Sequence, residues 1–228
     1  MIRHTSEPLL AVAFDMDGLM FDTENVYWKA ASALLAKRGF VYTDELCAAV
    51  MGRTPQYCFE LFKETFSLPE TWQELQRESE NLFLQFLDDG FSAMPGLFEL
   101  LDILEAKYIQ KCICTSSAIR VVSEVLKQKG LTERFDFILT AEDISFGKPN
   151  PEIYLKAAER FGVKPYQMLV LEDSTAGTQA AKAAGCFCAA VRAEHNKNSD
   201  LSAANYIASS LNSRYIVELL NGIDKGIQ

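Results

Sequence analysis

A short apolar run, Leu9 to Phe14, ends abruptly in Asp15-Met16-Asp17-Gly18. Consecutive apolar residues bounded by charge read as a strand buried on both faces, as in a parallel sheet. After Gly18 the pattern switches to helical spacing. Asp22-Thr23 reads as the cap of a helix running to about Arg38, with Val26, Tyr27, Ala30, Ala33 and Leu34 as its apolar stripe. Thr23 and Glu24 are read as helix starters, with a cleft-facing position as the alternative, and Lys37-Arg38-Gly39 is the stop. Further helices are expected at about 43–50, 55–66 and 70–88, and no strand between 22 and 91.

From Phe91 the pattern alternates. Helices are expected over about Leu97–Lys107, Ile119–Lys129, from Asn150-Pro151 to Gly162, Gly177–Ala184 and Ser213–Leu220. Between them lie short apolar strands at Cys112–Cys114, Phe137–Leu139, Met168–Leu171, Cys186–Val191 and Tyr206–Ala208. Asn150 suits an N-cap and Pro151 a first helical position. Strands alternating with helices of this length imply an α/β fold, a doubly wound parallel sheet with right-handed crossovers. The organisation is therefore an α/β core of residues 1–21 and 92–228, with residues 22–91 as an inserted all-helical cap. A helical layer of the same domain is the alternative, disfavoured because such layers normally alternate with strands. The insert holds twelve acids against six bases, a net charge of −6. Placed directly after the first strand, it reads as a lid.

A chain of 228 residues has room for such a core plus an insert. The net charge of −9 disfavours nucleic acid as a partner, because phosphate backbones attract Lys and Arg. No apolar run reaches the roughly 18 residues of a membrane span, and Met1 to Pro8 lacks a signal-peptide core. A cytoplasmic location is expected. Six cysteines include the pairs Cys112/Cys114 and Cys186/Cys188 inside apolar runs. Zinc sites use wider spacings, so buried reduced thiols are expected. Only two histidines occur, which makes a His-rich metal site or a Ser-His-Asp hydrolase improbable. His4 is assigned to a frayed terminus and His195 to a solvated polar loop, Glu194-His195-Asn196-Lys197-Asn198.

Chemistry must then rest on carboxylates, lysine, hydroxyls and backbone amides. Asp15 and Asp17, two residues apart on an extended chain, point the same way and repel unless a cation offsets them. A hard ion with oxygen ligands, Mg²⁺ above all, is the usual solution. Two other strands end in Thr115-Ser116 and Glu172-Asp173, and Lys148 precedes a helix. Singly these are helix caps and a solvated lysine. Together they can make a phosphotransfer site, with carboxylates for the metal, hydroxyls and lysine for phosphate, and a free aspartate oxygen as nucleophile.

Asp15-Met16-Asp17-Gly18, Thr115-Ser116, Gly147-Lys148-Pro149 and Glu172-Asp173-Ser174 resemble, in order and spacing, the four motifs of the haloacid dehalogenase-like hydrolase superfamily. The resemblance covers nearly the whole chain. The stretch from Phe14 to Glu24 leading into a helical insert looks like the branch containing β-phosphoglucomutase and phosphoglycolate phosphatase. It implies a Rossmann-like core and a mechanism. Asp15 attacks phosphorus, and Asp17 protonates the leaving oxygen and then activates water. Thr115 and Ser116 bind the phosphate, and Lys148 balances the charge. Mg²⁺ sits on Asp15, the carbonyl of Asp17 and Asp173, with Glu172 near or in its shell.

An acid at Asp17 implies a phosphate substrate, since dehalogenases of the superfamily lack one there. Lys29 could serve as a phosphonatase-type Schiff-base lysine, but reads as solvated. Where β-phosphoglucomutase has a lid His, Arg and Lys, this chain has Tyr27, Pro55 and Met51. Met51-Gly52-Arg53-Thr54 looks more like a phosphatase lid loop, with Arg53 the candidate for a substrate anion. The expectation is thus a Mg²⁺-dependent phosphatase of a small phosphomonoester, working as a monomer without membrane or nucleic-acid partners. A sugar phosphomutase is the alternative, and a catalytically weak binding domain a third reading.

Overall fold

The computed structural model describes residues 8–221. Among them, six strands form one parallel sheet: β1 (Ala11–Phe14), β2 (Gln110–Cys114), β3 (Phe137–Leu139), β4 (Met168–Glu172), β5 (Phe187–Val191) and β6 (Tyr206–Ala208). Their order is β3-β2-β1-β4-β5-β6. The first strand is thus flanked by β2 and β4, with Phe14 aligned on Ile113 and Leu171.

Between β1 and β2 the chain forms α1 (Glu24–Ala36), α2 (Asp44–Val50), α3 (Pro55–Phe66) and α4 (Trp72–Leu87). It leaves and returns through a narrow stem: Asp22 N donates to Ser92 O at 2.9 Å and Met94 N to Met20 O at 2.8 Å. Within the bundle α4 packs on α1 and α3. Arg38 ties them by donating to Glu70, Glu78 and the Leu34 carbonyl. A capping box of Thr71 and Glu74 starts α4.

The later helices are α5 (Leu97–Ala106), α6 (Ile119–Lys129), α7 (Glu152–Phe161), α8 (Thr175–Ala184) and α9 (Arg214–Asn221). Strand alternation decides which face each one covers. Val12, Phe14, Ile113 and Leu171 pack with α5, α6, α9 and the inserted helices in one apolar cluster. Ala11, Ala13, Cys112, Cys114 and Val170 pack with α7 and α8 in a second. Both faces are covered, as the continuous apolar runs require.

The elements expected from the pattern are present, with small shifts at their ends. Helix α8 begins two residues early because Ser174 caps it, accepting from Gly177 N at 3.0 Å. Asn150 accepts from Glu152 N at 3.0 Å, while Pro151 stands just before α7. The six cysteines are unpaired, and Cys112 and Cys114 share one face with their Sγ atoms 3.7 Å apart. No described helix is long and apolar enough to cross a membrane. His4 lies outside the described residues.

Leu34 is fully buried where α1 meets the bundle core. Leu34→Ala is expected to lower stability by about 2–5 kcal/mol in urea unfolding. Val41→Ser, at a position 74 % exposed, is expected to stay within about 0.5 kcal/mol.

Candidate active site

The strand order reverses between β1 and β4, and open α/β sheets bind ligands outside their carboxyl ends at such a point. Asp15 follows β1, Thr115 follows β2, and Glu172 and Asp173 end β4. The parallel register sets them side by side. Lys148 arrives from the loop before α7 and is 2 % exposed, so it is not the solvated loop lysine of the isolated reading. Its Nζ donates to Asp15 Oδ1 at 2.5 Å, Glu172 Oε1 at 2.7 Å and the Cys114 carbonyl at 3.0 Å. All three ammonium protons are used.

Glu172 is equally occupied. Its Oε1 also accepts from the Tyr154 hydroxyl at 2.6 Å. Its Oε2 accepts from the amides of Asp173 and Ser174 and the Ser174 hydroxyl. This carboxylate lies so close over the first turn of α8 that a Cβ at position 177 would overlap it. Only glycine fits there.

Asp17 sits in a cage of hydroxyls. Thr23 donates to Oδ1 at 2.7 Å, Ser117 to Oδ2 at 2.6 Å, and Thr115 approaches Oδ2 at 3.4 Å. Ser117 also bonds the Tyr27 hydroxyl of α1 at 2.7 Å. The hydroxyls of the Thr23 and Thr115-Ser116 turns are engaged elsewhere than on helix amides. Thr23 occupies the N-cap position of α1, but its hydroxyl makes no cap bond and serves Asp17 instead. Thr115 and Ser116 do not cap α6; Ala118 stands there, and Glu142 accepts from Ile119 N. Ser116 instead donates to the Gly52 carbonyl at 2.9 Å, joining the β2 turn to the inserted helices.

His195 corrects an expectation. It is not solvated: its Nε2 lies 2.8 Å from Asp173 Oδ2, with the side chain 16 % exposed. The cause is its neighbour. Asn196 donates to the Asp173 and Val191 carbonyls, which pulls the loop onto the end of β4. His195 and Asp173 also crowd Gly18, where φ is +79° and a side chain would strike both.

The electrostatics follow from one cation facing three anions. Burial pushes the Asp15 carboxyl well above the ordinary range, against the pull of Lys148. Burial and then Glu172 do the same to Asp173. Glu172 goes the other way, held down by Lys148 and its other donors against its burial. Asp17 is raised by burial, opposed by its three hydroxyls. Glu24 faces the same cavity, and burial with Asp173 and Asp17 nearby raises it to about 8. It takes the cleft-facing alternative.

A cavity of about 160 Å³ runs from Asp15, Asp17 and Asp173 into the inserted helices. Arg53 lines it, donating to the Lys148 carbonyl at 3.3 Å and stacking over Tyr57. Lys29 pairs with Asp89 at 3.3 Å with its side chain 42 % exposed, so it remains the surface lysine expected.

Residues 12–191 match the family model described as haloacid dehalogenase-like hydrolase. The chain belongs to that family. It is a hydrolase of the phosphomonoesterase type. It is 32% identical over 179 residues to a phosphorylated carbohydrates phosphatase of Thermotoga maritima, covering 77% of this chain and 81% of that one. It is 35% identical over 178 residues to a "Probable pseudouridine-5'-phosphatase" of Drosophila melanogaster, covering 75% and 77%. The crystal structure of a β-phosphoglucomutase from Clostridium difficile superposes with a TM-score of 0.81 at 26% identity, covering 93% of this chain and 97% of that one.

In this haloacid dehalogenase-like hydrolase, carboxylate oxygens of Asp15, Glu172 and Asp173 lie within 4.8 Å of one another. Buried like charges with a deficit of positive charge and hard oxygen donors fit a divalent cation. Because burial raises Asp15 and Asp173, protons compete with a cation for their oxygens, and the apparent affinity for a divalent cation should rise with pH across the range in which the fold is stable. Calorimetric titration across that range checks it, and a flat profile would contradict the assignment.

Proposed function

We propose that this hydrolase is a Mg²⁺-dependent phosphatase of a small phosphomonoester, working through a phosphorylated Asp15 beneath a cap formed by residues 22–91. The observation that carries the reading is Asp15 beside Lys148, with Asp17 caged two residues on. Lys148 holds Asp15 Oδ1 and so orients the carboxylate for attack on phosphorus. The bond to the leaving oxygen breaks as Asp17 gives that oxygen its proton. Burial raises Asp17, which keeps a proton available there. In the second half Asp17 takes a proton from the water that attacks the aspartyl phosphate. Lys148, Thr115 and Ser116 stabilise the transferring phosphoryl group.

Mg²⁺, held by Asp15, Asp173 and the main-chain carbonyl of Asp17, would supply neutralisation of the phosphate charge. Glu172, with five donors on its two oxygens, acts as the residue that positions Lys148 and the β4 turn. Hydrolysis is favoured over isomerisation because Tyr27, at the position of the mutase histidine, has its hydroxyl committed to Ser117. The six free cysteines support a reducing, cytoplasmic setting.

The test is phosphate release from a panel of sugar and nucleoside monophosphates with Mg²⁺ or EDTA, including β-glucose 1-phosphate with a bisphosphate primer. Mg²⁺-dependent release is expected. Isomerisation with little free phosphate would make the mutase reading correct. Asp15→Asn should abolish turnover while the circular dichroism spectrum is retained; substantial residual activity would overturn the roles. Asp17→Asn should cost about 10²–10⁴-fold in rate.

A further inference from the structure

The cavity's far wall is built of rings. On the inserted helices it is lined by Trp28, Tyr42, Phe59, Phe62 and Phe83. These rings brace one another: Trp28 and Tyr42 have centroids 4.9 Å apart, Tyr42 and Phe62 5.9 Å, and Phe59 and Phe62 5.8 Å. Phe83 lies 4.5 Å from the ring of Tyr27. The cage is therefore preformed. Trp28 is half-buried and lines the cavity, while Tyr42, Phe59, Phe62 and Phe83 behind it are buried.

Several polar groups beside these rings are already engaged, while Glu24 stands toward Asp17 and Asp173 at the carboxylate end of the cavity. The Tyr27 hydroxyl is bonded to Ser117, and Gln76 donates to Glu80, which pairs with Arg120. The Cys58 thiol is directed at the Val50 carbonyl. A polyol seated here would bury hydroxyls without partners, which costs affinity. A flat ring would meet offset and edge-on faces.

We infer that the preferred substrate is a phosphomonoester whose leaving group carries an aromatic ring, seated in the Trp28–Phe83 cage while the phosphate meets Asp15. This rests on the phosphatase reading above and narrows it. Open-chain polyol phosphates reach the same carboxylates but leave the cage unfilled.

The test compares benzyl phosphate with glycerol 3-phosphate and glucose 6-phosphate on the full chain with Mg²⁺. The expected result is a kcat/KM at least about tenfold higher for benzyl phosphate, expressed mainly in KM. Trp28→Leu should narrow that preference through KM. Equal or better turnover of the polyol esters overturns the inference and leaves the phosphatase reading intact. Turnover of none of them counts against the phosphatase reading, and binding then decides the cage separately. The chain has two tryptophans, so in Trp72→Phe the fluorescence reports Trp28 alone. Benzylphosphonate should quench it saturably at about tenfold lower concentration than 2,3-dihydroxypropylphosphonate. Equal midpoints, or no quench by benzylphosphonate, would overturn the inference whatever the activity.

Discussion

One ammonium group among buried carboxylates governs this molecule. Lys148 must serve Asp15 and Glu172 together, with Asp173 close by. Removing an ion from water costs several kcal/mol even after relaxation. Such a cluster survives only where backbone geometry leaves it no alternative. The sheet provides that geometry. Adjacent parallel strands lie roughly 4.8 Å apart, so the residues that end β1 and β4 cannot separate. The apolar clusters on both faces hold the strands in place against the repulsion at their tips.

The same crowding sorts the carboxylates into roles. Asp15 and Glu172 share one lysine, yet move in opposite directions. Glu172 and Asp173 raise Asp15 by their charge, and the donor count adds to the difference. Glu172 is wrapped by two hydroxyls and two amides besides the lysine, and its charge is fully solvated by protein. Among the described residues the Asp15 carboxylate takes its one side-chain hydrogen bond from Lys148, which leaves oxygen lone pairs free for a cation. The absent side chain at Gly177 is part of this, because it lets the turn close over Glu172. A carboxylate held low and one pushed high thus stand side by side, set apart by the charges and hydrogen bonds around them.

Much of this was legible in the chain. Strand ends were readable because apolar runs stop where carboxylates and hydroxyls begin, which fixes Asp15, Thr115 and Glu172 at one edge of the sheet. Lys148, 133 residues from Asp15, reads singly as a solvated loop lysine, and its grouping with the carboxylates and hydroxyls, strengthened by the motif resemblance, is what brings it to the site. The Thr23 hydroxyl and the His195 ring depart from local rules for a common reason. A threonine before a helix obeys a capping rule, and a histidine in a polar loop obeys a solvation rule, until tertiary contacts offer better partners. For His195 the clue was the loop's place after β5, the strand beside β4. Arg192 then closes that loop by donating to the carbonyls of Asn196, Lys197 and Ser199.

Ser117 shows how the inserted helices and the proton chemistry are joined. Its hydroxyl stands between Tyr27 on α1 and Asp17 on the core. Two further contacts cross the same boundary, from Ser116 to the Gly52 carbonyl and from Arg53 to the Lys148 carbonyl. All three touch motif loops rather than the distant surface of the sheet. Displacing the helices would therefore remove partners from the Ser117 hydroxyl beside Asp17, the Thr115-Ser116 turn and the Lys148 loop at once. An apolar contact of similar area would hold the two parts together without that consequence. Polar contacts placed here make the hydrogen bonding around Asp17 depend on where the helices sit, beside the cavity that Asp15, Asp17 and Asp173 share with those helices.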